Sequence, residues 1–150
     1  FETIFLPLCD HKKKVVPPKS GLNQWNAGGR KRHPDEVYIR VPAQIHKFFP
    51  DFFPDRDTPF SLKLSNGVTV QAKICQDGDK ALMSYNNKDL GSWILRDVLK
   101  LDEGTLVTYE LLQFLGIDSV RVDKVGEFEY EINFAKLGTY EDFEKECLND

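Results

Sequence analysis

Residues 20–42 read SGLNQWNAGGRKRHPDEVYIRVP, placing amides, an indole and three successive cations directly before an alternating apolar strand. A protein entering a DNA major groove needs such groups: amides for adenine, arginines for guanine, carboxylates for cytosine N4 and cations for phosphate. Asn23, Gln24, Asn26, Arg30, Lys31 and Arg32 supply most of that set, and Gly28-Gly29 lets backbone approach a partner closely. The same residues would suit a solvated basic loop, and Trp25 beside a strand suits the core. A second polar turn, Gln76-Asp77-Gly78-Asp79-Lys80, carries two carboxylates that would repel phosphate. That objection weakens if they point at base edges, where aspartate accepts from cytosine. Alone, the turn is an ordinary hairpin connection.

Patterns that do chemistry on phosphate are all incomplete. His11-x-Lys13 could attack phosphorus and neutralise charge, but that arrangement needs an Asp five residues after the lysine, where Pro18 stands. Pro34-Asp35, Pro50-Asp51 and Pro54-Asp55 each begin a metal-dependent nuclease pattern, and no acid-x-Lys follows at a suitable distance. The segment NAGGRK lacks the spacing and the Ser/Thr of a phosphate-cradling loop. His11, His33 and His46 are not spaced as metal ligands and read as surface residues. Cys9, Cys75 and Cys147 match no C-x-x-C spacing and read as free thiols in a reducing cytoplasm. The expectation is a non-catalytic chain with no metal, other cofactor or small-molecule substrate.

Net charge is −4, which argues against nucleic acid until its distribution is considered. Through residue 47 there are nine Lys/Arg against four Asp/Glu, whereas residues 101–150 carry four against thirteen, so a basic region sits on an acidic body. A length of 150 residues suits one domain, 1–150, with 1–15 as edge strand and basic linker and 135–150 as an acidic tail. No apolar run approaches the roughly 18 residues of a membrane span, so no membrane partner is expected. A chain starting at Phe1 suggests a fragment or processed product.

Strand and helix signals must position these groups. FETIFLPL suits an edge strand, since Pro7 bars a central position. Val37, Ile39 and Val41 alternate as a half-buried strand, and AQIHKFF after Pro42 forms a short helix ended by Pro50. PFSLKLSNGVTVQAKIC is a hairpin with Asn66-Gly67 as a two-residue turn, followed by the strand ALMSY. NNKDLGSWILRDVLKL is an amphipathic helix capped by Asn87 or Asp89. TYELLQFLG tilts to helix because Gly116 can terminate it, SVRVDKVGEFEYEINF is a second hairpin, and the tail is a frayed helix. The order suits a mainly β fold close to an antiparallel barrel, with flanking helices.

EVYIRVPAQIHKFFPDFFP resembles the strand–Pro–helix segment of the B3 DNA-binding domain of plant transcription factors, and LDEGTLVTY resembles its turn into a late strand. SGLNQWNAGGRK, KALMS and SWILRDVLKL are similar to the C-terminal domain of BfiI-type restriction endonucleases, in which a B3-like domain follows a phospholipase-D-like nuclease domain. The resemblance covers roughly 16–134. It implies a seven-stranded open antiparallel pseudobarrel whose two arms, 20–36 and 75–80, grip a major groove. It also implies a nuclease domain upstream in a parent chain, in a bacterial cytoplasm. TYELLQFLGIDSV is longer than the plant pattern and could replace a strand with a helix.

The resulting expectation is sequence-specific recognition of a short site in double-stranded DNA by a domain without catalysis of its own. The expected base readers are Asn23, Gln24, Trp25, Asn26, Arg30 and Arg32 in one arm, with Gln76, Asp77, Asp79 and Lys80 in the other. Expected phosphate contacts are Lys12, Lys13, Lys14, Lys19, Lys31, Asn86, Asn87 and Lys88. Both arms are expected at one end of the barrel, with the acidic C-terminal third elsewhere. The rival readings are a protein-interaction module and a nuclease domain with an unrecognised active site.

Overall fold

Alternating apolar residues close one sheet around a single core. In the computed structural model, which describes residues 2–149, the strands are β1 (Glu2–Pro7), β2 (Ile39–Arg40), β3 (Phe60–Lys63), β4 (Thr69–Cys75), β5 (Ala81–Ser84), β6 (Ile117–Gly126) and β7 (Glu129–Lys136). They form a seven-stranded sheet in the order β1-β6-β7-β3-β4-β5-β2. Register explains the core. Ile4 lies opposite Val122, which faces Ile132, while Leu62 pairs with both Tyr130 and Val70. All six of these residues are buried. The two edge strands β1 and β2 come near one another, so the sheet is nearly a barrel.

The sheet is not wholly antiparallel, because β3 and β7 run parallel. A long connection through two helices separates β5 from β6, and so long a crossover can bring a strand back in either direction. The first hairpin also departs from expectation. Leu64 N donates to Val68 O and Gly67 N to Leu64 O, so the loop has three residues, and only Gly67 of the Asn66-Gly67 pair takes positive φ. Val68 is consequently exposed, although the alternation had placed it with Val70.

Four helices cover the barrel. Helix α1 (Ala43–Phe48) follows Pro42. Helix α2 begins at Asp89–Gly91 and continues as a wider π turn over Ser92–Val98. Its cap is neither Asn87 nor Asp89: Ser84 Oγ accepts from Leu90 N, and Asn86 Oδ1 accepts from Lys88 N, because β5 runs almost straight into the helix. Helix α3 (Tyr109–Leu115) starts at Thr108, whose side chain accepts from Leu111 N, and ends at the left-handed Gly116. Helix α4 (Thr139–Cys147) is docked on β1, β6 and β7 rather than frayed. Tyr140 and Phe143 are buried, and the Phe143 ring lies 5.4 Å from Phe5 and 6.0 Å from Phe49. No helix of the described residues is long and apolar enough to cross a membrane.

One close approach joins α2 to the segment before β2. A Cβ placed on Gly91 would stand 1.7 Å from the Asp35 carbonyl oxygen, which is backbone and cannot swing aside. Gly91→Ala should therefore cost at least about 3 kcal/mol, lowering Tm by roughly 6–12 °C in thermal unfolding. An unchanged Tm would mean that this contact is looser than described.

Candidate nucleic-acid interface

The N-terminal arm is fixed at both ends. It begins as a tight 3-10 turn, Gly21–Asn26, with Leu22 buried beneath it. Asn23 is 0% exposed; its amide donates to Pro17 O at 2.9 Å and Val107 O at 2.8 Å, and accepts from Val107 N at 2.9 Å. Asn23 therefore ties the arm to a segment far along the chain and is corrected from base reader to brace. Asn26 is exposed and donates to Pro18 O, which leaves its carbonyl outward. Trp25 is half-buried against the core and Gln24 is half-buried, with Trp25 Nε1 and Gln24 Oε1 both enclosed without a hydrogen-bond partner.

The other end is anchored by Glu36, a residue whose role the sequence did not reveal. Its carboxylate is fully buried and receives Arg30 Nη1 at 3.2 Å, Arg30 Nη2 at 2.5 Å, Arg32 Nη1 at 2.8 Å and Asn87 Nδ2 at 3.2 Å. Burial alone would raise the Glu36 pKa, but hydrogen bonds and charge from Arg30 and Arg32 outweigh it and hold the carboxyl below its ordinary value of 4.5. Arg32 also donates to Ala27 O and Gly28 O and is only 15% exposed, so it too is corrected to a brace. Arg30 is 54% exposed and keeps its Nε edge outside the Glu36 pairing. Behind this, Asp35 is held by Ser92 Oγ and by Arg96 from the π turn, so its carboxylate is engaged in bracing the segment.

The second arm is a strained turn. Gln76 has φ 70 and ψ 163, a region that essentially only glycine occupies, and Gly78 and Asp79 follow with positive φ. Arg56, another residue the sequence did not single out, braces it by donating to Gln76 O, and its Nε stands 3.0 Å from Asp79 Oδ1 and its Nη2 3.6 Å from Asp77 Oδ1. His46 on α1 meets Asp79 O at 2.8 Å, and Lys80 O accepts from Val41 N. Asp77 and Lys80 are exposed.

Register corrects the arrangement of the arms. Arg40 pairs with Ala81 and Ile39 with Leu82, so the second arm abuts the end of β2, while the N-terminal arm enters its beginning beside Asn87. The arms therefore flank the β2–β5 pair from opposite ends rather than sharing one. Asn86, Asn87 and Lys88 lie exposed next to the Glu36 anchor. Lys12, Lys13, Lys14, Lys19 and Lys31 are exposed, the first three in a turn where Asp10 accepts from the Lys12 and Lys13 backbone. Much of the acidic C-terminal third belongs to β6, β7 and α4, and β3 and β4 separate β7 from β5 along the ladder. The near-closure of β1 on β2 nevertheless brings α4 round to β2, where Tyr140 and Glu144 share a cleft with Arg40 and Lys12.

Two braced arms carrying amides, cations and carboxylates thus lie beside the short β2–β5 pair. A family model, the NgoFVII C-terminal B3-like DNA-binding domain, matches residues 3–125. The chain belongs to that family. This B3-like domain is thus a DNA-binding domain of a restriction-enzyme family, and beyond the matched segment β7 completes the sheet and α4 packs on it. No curated protein matches the chain.

Two outcomes test the anchors. The Glu36 pKa is lower folded than unfolded, so its pairing stabilises the fold above about 4.5 and is lost as pH falls through the depressed value. Glu36→Gln should lower stability at pH 7 and flatten the pH dependence below 4.5, read from urea midpoints at successive pH values. Gln76→Gly should raise stability by about 1 kcal/mol through relief of strain; a loss of stability would show that the Gln76 side chain matters more to the fold than its backbone.

Proposed function

We propose that the B3-like domain is the target-recognition part of a restriction endonuclease, reading a short duplex site through both arms in one major groove. The observation that carries this reading is the bracket formed by two braced arms across β2 and β5. A four-residue β5 spans roughly 13 Å at the usual rise per residue, close to the major-groove width of about 12 Å. Arg30, Asn26 and Gln24 are the base readers of the N-terminal arm, and Gln76, Asp77, Asp79 and Lys80 those of the second. Arg56 offsets the second arm's carboxylates, which makes their approach to DNA tolerable. Lys12, Lys13, Lys14, Lys19, Lys31 and Lys88 contact phosphate, with Asn86 and Asn87 beside them. Asn23 and Arg32 hold the arm in shape, and Trp25 supports it from the core side. Cleavage belongs to a separate nuclease domain of the parent chain.

Selection from random duplexes followed by gel shift is the direct test. With about five cations on phosphates, log K should fall against log salt with a slope near −4 to −5, and a nearly flat dependence would overturn the reading. Arg30→Ala should weaken the selected site roughly ten- to a hundredfold and relax preference at one base pair. Uniform weakening over all sequences would reassign Arg30 to phosphate. Duplex plasmid should survive incubation with the domain in magnesium and in EDTA alike.

A further inference from the structure

We infer that Cys9, His11 and Asp118 form a binding site for a zinc ion, on the side of the barrel where β1, β6 and α4 meet. No spacing motif announces it, since the ligands come from two distant segments. The fold brings one ligand atom of each residue within 4.8 Å of the others. Cys9 leaves the end of β1, where Leu8 N donates to Asp118 O at 2.9 Å and so fixes the two segments together. Asp118 is the extra residue of a β-bulge between Ile117 and Ser119, and such an insertion turns one side chain out of the ordinary alternation.

The polar chemistry of this cluster is otherwise unexplained. The side chain of Asp118 is 1% exposed and that of His11 is 9% exposed, so His11 is corrected from a surface residue to an interior one. His11 Nε2 lies 3.2 Å from Asp118 Oδ2 and 3.5 Å from Glu141 Oε1. A buried His–Asp ion pair would account for the first distance. It leaves Asp118 Oδ1 without a hydrogen-bond partner, in a region where an unsatisfied oxygen is costly. A cation beside it satisfies that oxygen and gives the buried thiol a role.

Thiolate, imidazole and carboxylate together select zinc among the common divalent ions. With metal–ligand distances of about 2.0–2.3 Å, neighbouring ligand atoms of a tetrahedral site lie roughly 3.3–3.6 Å apart, which matches the 3.2 and 3.5 Å separations around His11 Nε2. Glu141, half-exposed at the start of α4, stands outside this three-residue cluster with its Oε1 3.5 Å from His11 Nε2, and moves in as the fourth ligand when the ion binds. The His11 ring is stacked on Tyr140 with centroids 4.8 Å apart, which limits how the imidazole can turn. A cleft of about 520 Å³ lined by His11, Tyr140 and Glu144 gives an ion its way in. Bound there, zinc clips β1, the β6 bulge and α4 together; this site stands independently of how DNA is read.

The test is Co²⁺ and Zn²⁺ titration of the metal-free chain. The expected result is one Co²⁺ per chain with a thiolate-to-cobalt charge-transfer band and the visible bands of tetrahedral cobalt, both displaced by Zn²⁺. Zinc at a hundredfold excess over its dissociation constant should raise Tm by roughly 5–10 °C. Cys9→Ala and Asp118→Asn should abolish these signals, and Glu141→Gln, at a half-exposed position, should weaken binding in a folded chain. Cys147→Ala, which removes the exposed thiol, should change nothing. Absence of a charge-transfer band in the unsubstituted chain, or a band that survives Cys9→Ala and disappears with Cys147→Ala, would overturn the site and leave a buried ion pair.

Discussion

The buried carboxylate of Glu36 holds Arg30, Arg32 and Asn87 at one point, and the shape of the N-terminal arm depends on it. An ionised carboxyl cannot remain in the interior alone, because the lost hydration is far too large. Two guanidinium groups and an amide supply the missing partners, and together with the carboxylate they leave one net positive charge facing outward. Because Asn87 lies just beyond β5, the same interaction ties the arm to the strand that also carries the second arm. One interaction thus sets the conformation and net charge of the N-terminal arm and its position beside β5.

Strain and bracing are paired around the rest of the interface. Gln76 occupies backbone space that side chains avoid, and Arg56, His46 and Val41 all hold the turn that contains it. In α2, the π turn carries Arg96 to Asp35, while Gly91 leaves room for the Asp35 carbonyl. These are places where local preference loses to a tertiary requirement, and they cluster under the two arms. The acidic third lies largely in β6, β7 and α4, where α4 buries Tyr140 and Phe143 and sets Glu141 beside His11.

Most of the barrel was legible because its signals are local. Alternation at Phe60, Leu62, Val70, Ala72 and Ile74 marks a hairpin, and the Gly116 terminator marks a helix. What local signals missed was direction and detail: the parallel β3–β7 pair, the three-residue turn at Gly67 and the cap supplied by Ser84. Each of these depends on where a distant segment arrives. The expected shared rim for the two arms failed for the same reason, since only the β2–β5 register shows which end each arm enters.

By itself, the sequence determined the chemical inventory and the places where it is concentrated, since composition, charge segregation and turn residues are properties of short segments. Tertiary structure decided which of those groups remain available. Asn23 and Asn26 stand three positions apart with the same side chain, yet one is spent on Val107, 84 residues away, and the other faces outward. Arg30 and Arg32 divide in the same manner. Hydrogen-bonding capacity is finite, and whether a donor is already engaged depends on partners that chain order does not place beside it.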